Sequence, residues 1–192
     1  YLHRVRALAQ KHPDWTFCYY TAAVVYGLSV SHANLTHIHI AAMPAQSTTP
    51  GSQVVRHRYA YRTRASEMDI AVTDIDQTIA DCLVDASFVE GLIIADSALH
   101  EQLLSKEHLV ETVDRLGLNR RGVVTARRVA RCADGLSENG GESKARALMI
   151  ERGWQVPELQ VELFDPVEPG RPYRVDYLWR VGDRLIIGEF DG

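Results

Sequence analysis

Glu142, Asp176, Glu189 and Asp191 are the residues whose types and spacing could carry chemistry. Glu189 and Asp191 lie two apart in IIGEFDG, so along a strand they share a face, following Leu185 and Ile187 on the same side. Asp176 lies within RVDYLW, and a tight turn at Gly182–Asp183 would bring it opposite Glu189 on an antiparallel neighbour. Glu142 opens a helical segment upstream. Carboxylates this close repel one another, and burial disfavours their charged forms. A divalent cation is the simplest remedy. Mg²⁺, or Mn²⁺ in its place, takes oxygen ligands, at about 2.0–2.1 Å for Mg²⁺, and keeps several waters. An ion held there would polarise a phosphodiester and lower the pKa of an attacking water. Asp176 and Glu189 would be the ligands, with Asp191 orienting water or a second ion and Glu142 tuning or joining the site. The same spacing also suits a solvated strand end. Lys144 is roughly 200° around a helix from Glu142 and points away from it. Arg146, four positions on, shares its face and suits an i,i+4 ion pair worth about 0.2–0.5 kcal/mol.

The elements that must position these residues are legible as periodicity. After the turn formers of Asp134–Gly141 (DGLSENGG), the pattern predicts a helix over Glu142–Arg152. Strands follow over Glu158–Phe164, Tyr173–Val181 and Arg184–Phe190. Upstream, apolar positions three and four apart predict helices over Tyr1–Lys11, Tyr19–Leu28, Asp76–Val84, Phe88–Leu104, Lys106–Leu116 and Val123–Ala133. Alternation predicts strands over His37–Ala41 and Val54–Tyr61 and a short one over Met68–Val72, with Pro44–Ser52 as a loop. The expected class is α+β in two parts: a mixed region with a helical extension over residues 1–134, then a smaller α/β unit over 141–192. That second unit reads as incomplete, because the chain starts at Tyr1 without Met and stops at Gly192.

Composition narrows the function classes. Hydrophobic residues make up 46% and charged residues 24% of the 192, which excludes a disordered, collagenous or coiled-coil chain. The longest apolar stretch, near Ala22–Val30, falls far short of the ~20 residues of a membrane span, so no membrane partner is expected. Cys18, Cys82 and Cys132 form neither a disulfide framework nor a zinc signature. With no secretory signal visible, a cytoplasmic location is expected. The net charge of −4 hides an asymmetry: residues 1–64 set seven cations against Asp14, a net of +6, and the remainder carries −10. A basic front suits a polyanion such as DNA, and Arg56, Arg58 and Arg62 on one strand face are the expected phosphate contacts. An arginine-rich surface without a partner would look the same. His32, His37 and His39 lack the further ligands that a zinc site needs. Trp15, Tyr19 and Tyr20 could stack on bases or fill the core.

Four segments in order resemble a known domain: ES-x-A-R (Glu142, Ser143, Ala145, Arg146), LQVEL (Leu159–Leu163), RVDYLW (Arg174–Trp179) and GEFDG (Gly188–Gly192). They are similar to the Vsr-like, restriction-endonuclease-like C-terminal domain of actinobacterial proteins, within the PD-(D/E)XK nuclease superfamily. The resemblance implies Glu142 as the helix acid, Gln160 as a site-lining amide, and Asp176 and Glu189 as metal ligands. Asp191 stands where the superfamily's strand usually carries a lysine that holds the attacking water. Residues 16–135 resemble AbiEi-like antitoxin and transcriptional-regulator proteins. The match runs through TAAVVYGL (Thr21–Leu28), Val72–Thr73 with QTIAD (Gln77–Asp81), and ADSAL (Ala95–Leu99), with Gln77 in place of the usual arginine. This resemblance implies DNA and a cognate toxin protein as partners. Two main functions follow as expectations. One is metal-dependent hydrolysis of nucleic-acid phosphodiesters. The other is a non-catalytic, antitoxin-type regulator that uses the nuclease-like fold for binding or assembly. A protein-interaction domain with no nucleic-acid role is a third.

Overall fold

The computed structural model describes residues 1–42, 53–58, 64–164, 170 and 172–191. In chain order its first elements are α1 (Leu2–Lys11), β1 (Thr16–Phe17), α2 (Tyr19–Val25), β2 (Ile38–Ala42), β3 (Val54–Arg58), β4 (Arg64–Glu67) and β5 (Ile70–Thr73). Then come α3 (Ile75–Asp85), α4 (Phe88–His100), α5 (Lys106–Leu116), α6 (Val123–Cys132), α7 (Gly140–Glu151), β6 (Glu158–Phe164), β7 (Pro172–Val181) and β8 (Arg184–Gly188). The class is α+β. A mixed five-stranded sheet has the order β3-β2-β1-β5-β4, and an antiparallel three-stranded sheet the order β6-β7-β8.

The short helix α2, YYTAAVV, is apolar on nearly every side, and the fold uses both faces. Ala22 and Val25 pack on the five-stranded sheet with Val5, Phe17, Ile38, Ile40, Ile70 and Val72. Tyr20 and Ala23 turn into a second, helical core built from α3, α4, α5 and α6. Helix starts are set by side chains that accept from otherwise unpaired first-turn N–H groups: Asp74 for α3, Ser87 for α4, Ser105 for α5 and Asn139 for α7.

Two predicted strands change. Met68–Val72 is not one strand: β4 and β5 form a hairpin around Met68 and Asp69, which take φ of 48° and 61°. A two-residue hairpin turn needs positive φ, and without glycine the sequence carried no signal for it. The strand expected over Val54–Tyr61 is described as far as Arg58. The loop at 44–52, positions 59–61 of that strand, and Arg62 lie outside the described residues. The strand expected over Arg184–Phe190 ends at Gly188, with consequences for the site.

Asp134–Gly141, expected as a linker, is pinned at several points. The Asp134 N–H donates to Asp96 at 2.8 Å, and the His100 ring bonds the Gly135 carbonyl at 3.0 Å. The helix that follows, α7, sends Ala147 into the same core as α3–α6. Among the described residues, no helix is long and apolar enough to cross a membrane.

Gly122, just before α6, has φ +89°, and a Cβ there would collide with the Val84 carbonyl oxygen. Gly122→Ala is therefore expected to destabilise the fold by more than about 1 kcal/mol, whereas the same change at a compatible backbone position would be mildly stabilising. A urea melt should show the drop in midpoint, and an unchanged midpoint would mean that the 117–122 turn moves freely.

Candidate metal-binding carboxylate site

The first turn of α7 builds one side of the site. Asn139 caps the helix by accepting from the Gly141 and Glu142 N–H groups at 2.8 and 3.0 Å. The spacing Asn139-x-x-Glu142 is that of a capping box, and Glu142 turns back accordingly. Its Oε2 accepts from the Glu138 N–H at 2.8 Å, and its Oε1 accepts a short hydrogen bond from Asn139 Nδ2. Tyr177, on β7, donates its hydroxyl to the Glu142 carbonyl at 2.9 Å and anchors the turn to the sheet. Glu142 is only 5% exposed.

The sheet supplies the other side. Gln160 on β6 and Asp176 on β7 fall at opposed positions of the antiparallel pair, between the partners Leu159–Tyr177 and Val161–Val175. Gln160 has φ +51°, a left-handed residue inside a strand. Its Nε2 lies between two carboxylates, 3.2 Å from Asp176 Oδ1 and 3.3 Å from Glu142 Oε2. A non-glycine residue in this backbone region costs about 1–3 kcal/mol, and such strain gathers at functional sites.

Of the residues expected at the site, Glu142, Gln160 and Asp176 come together. Glu189 and Asp191 are exposed and lie beyond the end of β8. The register runs Tyr177–Gly188, so one more step would have set Asp176 opposite Glu189. Instead the chain leaves the ladder, and the Phe190 N–H donates to Asp176 Oδ2 at 2.8 Å. The Phe190 ring lies against Gly141, where a Cβ would collide with it. Among the described residues, no three His, Cys, Asp or Glu side chains are grouped so as to hold a metal ion. The expected cluster of Asp176, Glu189 and Asp191 thus gives way to a pair, Glu142 and Asp176, joined by an amide.

Burial holds Glu142 above the ordinary glutamate range. The Asp176 charge adds to this, against the Glu138 N–H that stabilises the carboxylate. Arg146 does not relieve it. Rather than pairing with Glu142, it makes two hydrogen bonds to Asp96 of α4, at 2.7 and 2.6 Å, and one to the Cys132 carbonyl at 2.8 Å. Lys144 faces a separate cleft of about 650 Å³ beside Ser29, His32 and Glu90. Asn139 and Phe190 were missed as partners of the carboxylates. Asn139 was findable from its capping-box spacing, whereas nothing local marks Phe190.

The donor set fits a hard divalent cation. A half-turn of the Gln160 amide would present its carbonyl oxygen beside the two carboxylates, giving three oxygen donors of the kind Mg²⁺ and Mn²⁺ take. Of the expected phosphate contacts, Arg56 lies over the Trp15 ring, 5.4 Å from its centroid, and Arg58 is exposed at the end of β3.

No protein-family profile matches the chain, and no solved structure matches it. It is similar to two uncharacterized proteins of Mycobacterium tuberculosis, one from each of two strains, at 28% identity over 175 residues. The match covers 91% of this chain and 61% of each relative, so the chain spans about three fifths of the length of the curated relatives it matches.

Proposed function

We propose that this protein binds DNA through its basic N-terminal part and carries, around Glu142 and Asp176, a metal-dependent phosphodiesterase site of the PD-(D/E)XK type. The observation that carries the reading is the strained Gln160 amide, held between a helix carboxylate and a strand carboxylate. Glu142, Asp176 and the Gln160 carbonyl would hold Mg²⁺ or Mn²⁺, with Glu189 and Asp191 close enough in sequence to reach the site from the end of β8. A bound ion would supply Lewis-acid polarisation of the phosphodiester and a more acidic water. The chain's own contribution is positional. Asn139, the Glu138 N–H and Tyr177 fix the Glu142 turn, and the Phe190 N–H fixes Asp176.

A second reading rests on a specific observation: all four oxygens of the two carboxylates already accept hydrogen bonds from the protein. A carboxylate pair so satisfied can persist without a cation. On that reading the protein is a non-catalytic regulator that works with DNA and a cognate toxin protein.

Two measurements on the intact chain separate these readings. Incubation with single- and double-stranded DNA and RNA, with Mg²⁺ or Mn²⁺ and with chelator, should give cleavage only with metal. Absence of cleavage and of metal binding would select the regulator. DNA affinity should fall with salt with a log–log slope of about −0.9 per neutralised phosphate, and Arg56→Ala or Arg58→Ala should each reduce the slope by about one contact. A flat salt response would remove DNA from both readings.

A further inference from the structure

Six arginines, Arg115, Arg120, Arg121, Arg127, Arg128 and Arg131, fall within residues 115–133 with no acidic residue among them. This segment carries +6 inside residues 65–192, whose net charge is −10, so the rest of that part carries −16. A surface that was merely rich in arginine would scatter its cations among those carboxylates. The fold sorts the six into two sets. Arg115 pairs with Asp76 at 2.9 Å, Arg120 with the buried Asp81 at 2.6 Å, and Arg127 with Asp114 at 2.6 Å. Arg121, Arg128 and Arg131 are exposed, and among the described residues none of the three stands in an ion pair.

Helical spacing places Val124, Arg128 and Arg131 on one stripe of α6, at i, i+4 and i+7. Val124 is 79% exposed, so the stripe faces solvent, while Ala126, Val129 and Ala130 are buried in the helical core on the other side. Arg121 is exposed in the turn just before the helix. Arg128 lies over the Phe88 ring, 4.2 Å from its centroid. A guanidinium held over a ring by its flat face keeps its N–H donors at its edge, where they can meet a further partner. Lys106 sets its ammonium against the end of α6, 2.9 Å from the Arg131 carbonyl, and adds a fourth positive charge. Asp85 lines a cleft with Arg121, and Asp134 one with Arg131. Each already accepts a hydrogen bond, Asp85 from the Tyr20 hydroxyl and Asp134 from the Leu136 N–H, both at 3.0 Å. The stripe is also continuous with the basic N-terminal part: the cleft that Arg58 borders and the cleft that Arg121 borders share Tyr19 and Arg120.

We propose that the exposed stripe of α6, with Arg121 before it, is a second contact surface for the phosphate backbone of duplex DNA. The inference rests on the reading that this protein binds DNA, and it carries the contact from β3 into a part of the chain that is acidic elsewhere. Arginine forks suit phosphate oxygens, and three of them along one exposed face follow a backbone rather than enclose a small ligand. A protein partner would need an apolar core at the centre of its interface, and the stripe offers only Val124. Backbone contacts position a duplex without reading its bases, so this surface adds affinity and no sequence preference. The stripe lies on a different element from the carboxylate pair, and chelator in the buffer keeps the two questions separate.

Fluorescence-anisotropy titration of two duplexes of unrelated sequence, in EDTA and at several salt concentrations, tests it. A variant combining Arg121→Gln, Arg128→Gln and Arg131→Gln should lower the log–log salt slope by about 2.7, which is about 0.9 for each phosphate no longer neutralised. Its affinity should fall by the same factor for both duplexes. Arg115→Gln, whose charge is already met by Asp76, should lower the slope by less than about 0.9. Poly-glutamate, a polyanion without phosphate, should bind at least about tenfold more weakly than duplex, because DNA carries its charges more densely. The proposal is overturned, with the DNA reading intact, if the wild type binds in a salt-dependent way and the folded triple variant keeps its slope. Poly-glutamate binding as tight as DNA, and lost in the triple variant, would give the stripe to an acidic protein partner and also overturn it. A wild type whose binding does not respond to salt overturns both the proposal and the DNA reading. Should the triple variant fail to fold, Arg131→Gln alone decides: a slope lower by about 0.9 supports the proposal, and an unchanged slope overturns it.

Discussion

Asp176→Asn is expected, on the proposed metal-site reading, to abolish Mg²⁺ and Mn²⁺ binding and, with it, any cleavage of nucleic acid. Among the described residues Asp176 supplies one of two carboxylates at the site, so a single neutral replacement halves the charge that a cation meets there. Loss of a supporting residue around a metal typically costs 10–100-fold in affinity, and loss of a ligand should exceed about 100-fold. Gln160→Met, which removes the third proposed oxygen ligand, is likewise expected to exceed about 100-fold. Glu189→Gln should match Asp176→Asn only if Glu189 swings back to the pair. Lys144→Ala should change neither property, because its side chain faces a different cleft. The pH dependence has a definite sign. Glu142 must lose its proton to hold an ion, and burial keeps its pKa above the ordinary glutamate value. Metal affinity should therefore rise with pH through that raised value and level off above it. Without metal the sign reverses: the folded state holds the Glu142 proton more tightly, so this group favours folding most below the ordinary glutamate range. That contribution is lost as pH rises through the raised value. Melting curves with and without Mg²⁺ across the acid range would display both trends. A metal-induced shift independent of pH would rule out Glu142 as a ligand.

Arg146→Ala is expected to destabilise the fold by about 3–5 kcal/mol, the cost of leaving a buried charge without its partner. Arg146 is 2% exposed and Asp96 fully buried, and their two hydrogen bonds join α7 to α4. The same guanidinium holds the Cys132 carbonyl at the end of α6, and Asp96 holds the Asp134 N–H. One pair thus ties together three helices and the turn that leads to Glu142. Asp96→Asn keeps an acceptor for the guanidinium but leaves its buried charge without a counter-charge, so it should destabilise by a similar amount. Replacing both by apolar residues, Asp96→Leu with Arg146→Met, should recover most of the loss. Urea denaturation of the two single variants and the double variant gives the coupling directly. Strict additivity would show that the pair does not act as a unit. Arg146→Ala should also weaken metal binding, since α7 carries Glu142 one turn earlier.

The sequence by itself determined most elements and the mixed class. Lys106–Leu116 and Glu158–Phe164 occur where the pattern placed them, and Gly182–Asp183 makes the expected turn between β7 and β8. Those signals are local. Helical and strand periodicity, cap residues and turn formers act over a few positions and survive any tertiary arrangement. The β4–β5 hairpin escaped because Met68 and Asp69 adopt a backbone that neither residue type advertises. The two-residue β1 escaped because it is too short to show a period. At the site, Glu142 and Asp176 were legible as candidates, but which carboxylates meet was not. Strand parity assumed a ladder continuing through Phe190. Tertiary packing ended it at Gly188, because the bare Gly141 leaves room for the Phe190 ring and Asp176 takes the Phe190 N–H. Likewise Arg146 shares a helix face with Glu142, an exposed-pair geometry worth a few tenths of a kcal/mol. Only the fold could show that α4 brings a buried Asp96 to it across 50 positions, where removal of either partner leaves the other buried without its counter-charge.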